Sequence, residues 1–64
     1  MLKKTYFITF ERYHNEDGTY AGKGWRAQTV SMMVSAGAML NTLLTDMEQE
    51  FPGETILLTE FKRV

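Results

Sequence analysis

The chain has 64 residues, a formal net charge of −1, no cysteine and one histidine. Disulfides are therefore excluded and a Cys/His zinc cage nearly so, while the charge argues against bulk capture of a polyanion and against an acidic DNA mimic. The hydrophobic fraction of 44% and charged fraction of 23% are those of an ordinary folded protein, one domain over residues 1–64.

Lys3–Tyr13 is rich in aromatic and β-branched residues and predicts a strand. Its alternation puts Tyr6, Ile8 and Phe10 on one face, the better core face. Phe7 and Tyr13 then point to the opposite side, with Thr5, Thr9 and Glu11. His14–Gly22 follows as a polar loop, with Asp17-Gly18 as its turn pair. Gly24–Val30 alternates again and predicts a second strand. Trp25, Ala27 and Thr29 share one face, expected towards the helix; Arg26, Gln28 and Val30 share the other. A slip of one residue reverses all of these assignments.

Ser31–Ser35 reads as a connector, with Ser35 placed to cap a helix N-terminus. Ala36, Met39, Leu40, Leu43, Leu44, Met47 and Phe51 recur at spacings of three and four, which predicts a helix over Ala36–Phe51. Pro52-Gly53 stops it. Glu54–Val64 predicts a last strand from about Thr55. Leu57, Thr59 and Phe61 share one face, and Ile56, Leu58, Glu60 and Lys62 share the other. Apolar residues on both faces suggest an edge strand covered in part on its outer side.

The order β-β-α-β predicts an α+β fold, a three-stranded sheet with one helix packed on one face. A right-handed crossover through the helix makes the second and third strands parallel. The apolar first strand fits between them, giving order 2-1-3, with 1-2-3 as the alternative.

Several motifs dissolve on inspection. Gly22-Lys23-Gly24 lacks the spacing and the following helix of a phosphate loop. Asn15, Asp17 and Gly18 resemble part of a calcium loop, but Tyr13 and Gly24 stand where its outer carboxylates belong. His14 has no cysteine nucleophile and no assignable partner, so it reads as a solvated loop residue. Asp46, Glu48, Glu50 and Glu54 read as a solvated acidic surface. Met39 and Met47 belong to the helix stripe, and Met32 and Met33 supply either core packing or an adaptable contact. No catalytic residue, metal ligand or cofactor site is assigned, and an enzyme is not expected.

The sheet face away from the helix is the strongest functional candidate. The partner-binding residues expected there are Phe7, Tyr13, Val30, Ile56 and Leu58, with Arg12, Arg26 and Lys62 nearby. Aromatics with arginines suit a protein interface. They also suit base stacking by a single-stranded nucleic acid, which the near-neutral charge makes the second choice. The plainest use of the face is closure of a homodimer. A core this small rarely supplies more than about 3–5 kcal/mol, and without disulfides or metals self-association is the remaining device.

Lys4-Thr5-Tyr6-Phe7-Ile8-Thr9-Phe10, the Gly24-Trp25 strand start and the ending Ile56-Leu57-Leu58-Thr59-Glu60-Phe61-Lys62-Arg63-Val64 resemble small accessory proteins of bacteriophages and prophages in length and style. The resemblance implies a bacterial cytosolic setting and carries over no functional residue. No apolar run approaches the ~18–20 residues needed to span a membrane, and the N-terminus lacks the apolar stretch of a signal peptide. The expectation is a complete cytoplasmic chain starting at its own Met1, a non-enzymatic binding module that engages or inhibits a host protein.

Overall fold

The computed structural model describes residues 2–64. β1 (Lys3–His14) and β2 (Tyr20–Ser31) form a long antiparallel hairpin, α1 (Ala36–Glu50) follows, and β3 (Glu54–Arg63) returns to the other side of β1. The sheet order is β2-β1-β3 and both pairings are antiparallel. This is the expected α+β arrangement, with the apolar strand in the centre.

β2 starts earlier than the glycines around Lys23 suggest. Tyr20 pairs with Tyr13 and Gly22 with Arg12, leaving Ala21 as the extra residue of a bulge. Gly22 takes φ +153, which favours glycine. The remaining loop is tight. Gly18, at φ +74, donates its N–H to the His14 carbonyl at 2.7 Å, and Asp17 accepts from the Thr19 N–H at 3.0 Å and hydroxyl at 2.7 Å.

α1 begins where its cap predicts: the Ser35 hydroxyl accepts from the Ala38 N–H at 3.1 Å. Its stripe packs as expected. Met39, Leu43 and Met47 are buried against Tyr6, Ile8 and Phe10, with Ala36, Leu40, Leu44 and Phe51 around them. The molecule measures 44 × 18 × 15 Å. A helix of 15 residues spans roughly 22 Å, so it covers only part of strands close to ~40 Å long. No helix among the described residues is long and apolar enough to cross a membrane.

Two expectations about strand faces are corrected. Directly opposed residues of antiparallel strands share a face. Phe7 opposes Ala27 and Thr9 opposes Trp25, so Trp25, Ala27 and Thr29 lie on the open face. Arg26, Gln28 and Val30 lie under the helix instead. The reason is steric. Phe10 opposes Gly24, and its ring occupies the layer beneath the helix end that a bulky β2 residue would need. The second correction is in β3. A bulge beside Thr9 and Phe10 changes the register from Phe10–Leu58 to Thr9–Glu60. Ile56 and Leu58 therefore pack on the core, while Phe61, beyond the bulge, also turns to the helix side and stacks on Tyr6 at 4.9 Å. One inserted residue reverses the parity of the strand.

Candidate functional site: the open sheet face

The open face is built from alternate residues of all three strands. Its centre is a stacked pair, Phe7 of β1 and Trp25 of β2, with ring centroids 5.7 Å apart and planes inclined by 24°. Trp25 is 60% exposed although it is the one tryptophan of the chain. The Lys62 ammonium lies 5.8 Å from the Phe7 centroid on the β3 side, and 3.7 Å from the Glu60 carboxylate. Leu57 is half exposed farther along β3. Towards the hairpin end, Tyr13 meets Tyr20 edge-on at 5.8 Å and donates its hydroxyl to Glu11 at 3.3 Å. Burial raises the Tyr13 pKa above 10.0, and the neighbouring Glu11 charge adds to the effect.

Threonine pairs tie the strands together across this face. Thr9 and Thr59 hydroxyls lie 2.8 Å apart, and those of Thr5 and Thr29 2.9 Å apart. Such pairs satisfy their own hydroxyls and hold the aromatics in place. A shallow open depression of about 650 Å³ lies between Phe7, Thr9, Glu11, Lys23, Trp25 and Thr59. Its rim carries both signs of charge, from Glu11 and Lys23.

The expected partner-binding residues divide between the two faces. Phe7, Tyr13 and Lys62 stand on the open face. Arg12, Arg26, Val30, Ile56 and Leu58 do not, and these placements are corrected. Val30, Ile56 and Leu58 pack against the buried cluster. Arg12 bonds Glu54 at 2.7 Å and lies 4.4 Å from the Phe51 centroid. Arg26 holds both Glu50 oxygens with one nitrogen at 2.9 Å and lies 5.3 Å from the Phe10 centroid. Both arginines sit on even positions, the parity of the core face, and each lies beside an aromatic ring with an acidic partner. Trp25, Leu57, Tyr20 and Lys23 are the open-face residues that the sequence reading did not include. The signal that finds them is size complementarity: Gly22 and Gly24 match the bulky Arg12 and Phe10, which sets the hairpin parity.

His14 lies at the hairpin end, half exposed, with Nδ1 4.0 Å from the Glu54 carboxylate. The other oxygen of Glu54 is occupied by Arg12. No group of three or more His, Cys, Asp and Glu side chains suited to a metal ion occurs among the described residues. No protein-family model, curated protein or solved structure matches the chain.

Proposed function

We propose that this chain is a small non-enzymatic protein-binding module and that its open sheet face is the contact surface. The carrying observation is the Phe7–Trp25 stack, a large aromatic surface on a rigid three-stranded sheet, left uncovered beside Lys62 and Leu57. Aromatic anchors on rigid elements with a mixed-charge rim are the usual makings of a protein contact. The bacteriophage and prophage style of the sequence makes a bacterial host protein, engaged or inhibited in the cytoplasm, the partner class proposed.

The alternative, a binder of single-stranded nucleic acid, requires Phe7, Tyr13, Arg12 and Arg26 together on one face. Both arginines are turned away in ion pairs, and Glu11 and Glu60 offset the lysines on the open face. The test compares wild type, Phe7→Ala and Trp25→Ala in pull-downs from a bacterial lysate. Enrichment of one protein by wild type and its loss in both variants is the expected result. Equal recovery by all three would remove the open face from the proposal. A salt-sensitive anisotropy rise with a labelled oligonucleotide would instead favour the alternative.

A further inference from the structure

β2 is an edge strand, and its hydrogen-bond parity defines what the edge can accept. The Met32 N–H donates to the Leu2 carbonyl at 3.1 Å, so that opposed pair is a bonded one. Bonded and non-bonded pairs alternate in an antiparallel ladder. The register is constant from Lys3–Ser31 to Arg12–Gly22. Gly24, Arg26, Gln28 and Val30 therefore turn their backbone groups to β1, and Lys23, Trp25, Ala27 and Thr29 turn theirs outward. A side chain reports the same parity independently: the Arg26 guanidinium donates to the Trp25 carbonyl at 2.9 Å.

The two edges of the sheet differ. β3 is blunted by its bulge and by Glu60, Lys62 and Arg63, devices that discourage strand addition. β2 carries no proline and no bulge between Lys23 and Ser31. An open groove of about 660 Å³ runs along it past Lys23, Gly24, Trp25, Arg26 and Ala27. Its charged residues are Lys23 at the start of the regular stretch and Arg26, which covers a single carbonyl.

We propose that β2 pairs antiparallel with β2 of a second copy of this chain, with Ala27 on the two-fold axis, to form one continuous sheet. Ala27 is the midpoint of the regular stretch Lys23–Ser31, so this register overlaps the most edge. Its central part forms about six hydrogen bonds, from Ala27 with itself and from both Trp25–Thr29 pairs, with the Lys23–Ser31 pairs flanking them. It also sets Trp25 opposite Thr29, an aromatic and β-branched pair, and Arg26 opposite Gln28. A register centred on Arg26 would instead oppose two guanidinium groups. In the isolated chain Arg26 fills the place that the Thr29 N–H of the second copy takes, and on pairing it keeps its Glu50 contact. The open faces of both copies then lie side by side, available to a partner.

The test is solution mass over a range of concentrations. Wild type should pass from 7.4 kDa to twice that value. Ala27→Pro removes an N–H that points away from β1, so the hairpin ladder stays intact while the seam is blocked. That variant should remain at 7.4 kDa with an unchanged circular dichroism spectrum. Leu57→Glu, on the open face, should associate like wild type. A monomeric wild type, a dimeric and folded Ala27→Pro, or loss of the dimer in Leu57→Glu would overturn the proposal. Amide exchange in wild type decides if Ala27→Pro misfolds. The Ala27 and Thr29 amides should exchange on the order of tenfold more slowly at high concentration, and equal exchange at both concentrations would exclude the seam.

Discussion

Phe10 and Gly24 oppose each other across the β1–β2 ladder, and the Phe10 ring takes the space a side chain at position 24 would need. A Cβ on Gly24 would stand 2.8 Å from Cζ of Phe10. The ring has little room to retreat: it is 2% exposed, with Phe51 at 6.3 Å and the Arg26 guanidinium at 5.3 Å from its centroid. Gly24→Ala should therefore destabilise by about 1–2 kcal/mol, even though alanine is the better strand residue in other respects. Urea denaturation measures it. A neutral or stabilising result would show that the ring shifts freely.

Arg12 is expected to matter for stability rather than for partner binding. Its ion pair with Glu54 is mostly screened from water, and its guanidinium lies over Phe51. Arg12→Ala should cost about 2 kcal/mol, combining a charge-assisted bond with a cation–π contact. Arg12→Lys should recover less than half of that, because a point charge cannot hold the carboxylate and cover the ring together. Chemical denaturation of both variants distinguishes this from a free surface arginine, for which the two would behave alike.

Asp17 should titrate below 3.8, because the Thr19 N–H and then the Thr19 hydroxyl bond its charged form. The sign follows from linkage. A carboxyl with a lowered folded-state pKa adds stability above its unfolded pKa, and that contribution is lost as pH falls through the folded value. An NMR titration should find the Asp17 midpoint below 3.8 in wild type and closer to 3.8 in Thr19→Ala. A shared midpoint would mean that the Thr19 hydroxyl bond contributes nothing in solution.

The two faces should respond differently to truncation. Ile8 is fully buried, so Ile8→Ala should cost about 3–4 kcal/mol. That equals most of what a core this small supplies, and thermal melting should show a midpoint lowered towards 25 °C with a substantial unfolded fraction there. Trp25→Ala should cost no more than about 1 kcal/mol, the worth of its stack on Phe7. If Trp25→Ala proved as damaging as Ile8→Ala, the open face would be part of the core and not a contact surface.

Element order, the central place of the first strand and the buried stripe of α1 are readable from the chain without its fold. Those features rest on local periodicity: alternation in Tyr6, Ile8 and Phe10, and spacings of three and four from Ala36 to Phe51. The Ser35 cap and the Asp17-Gly18 turn were legible for the same reason, since each acts within a few residues. The facing of β2 and β3 is set by long-range pairing. Strand parity depends on where bulges fall, and the bulges at Ala21 and at Thr59–Glu60 arise from pairing with a distant strand. Hydropathy alone drew Trp25 inward and left Arg26 outside. Packing reversed both, because the Phe10 ring fills the space over Gly24 and the Arg26 guanidinium lies over that ring while bonding Glu50.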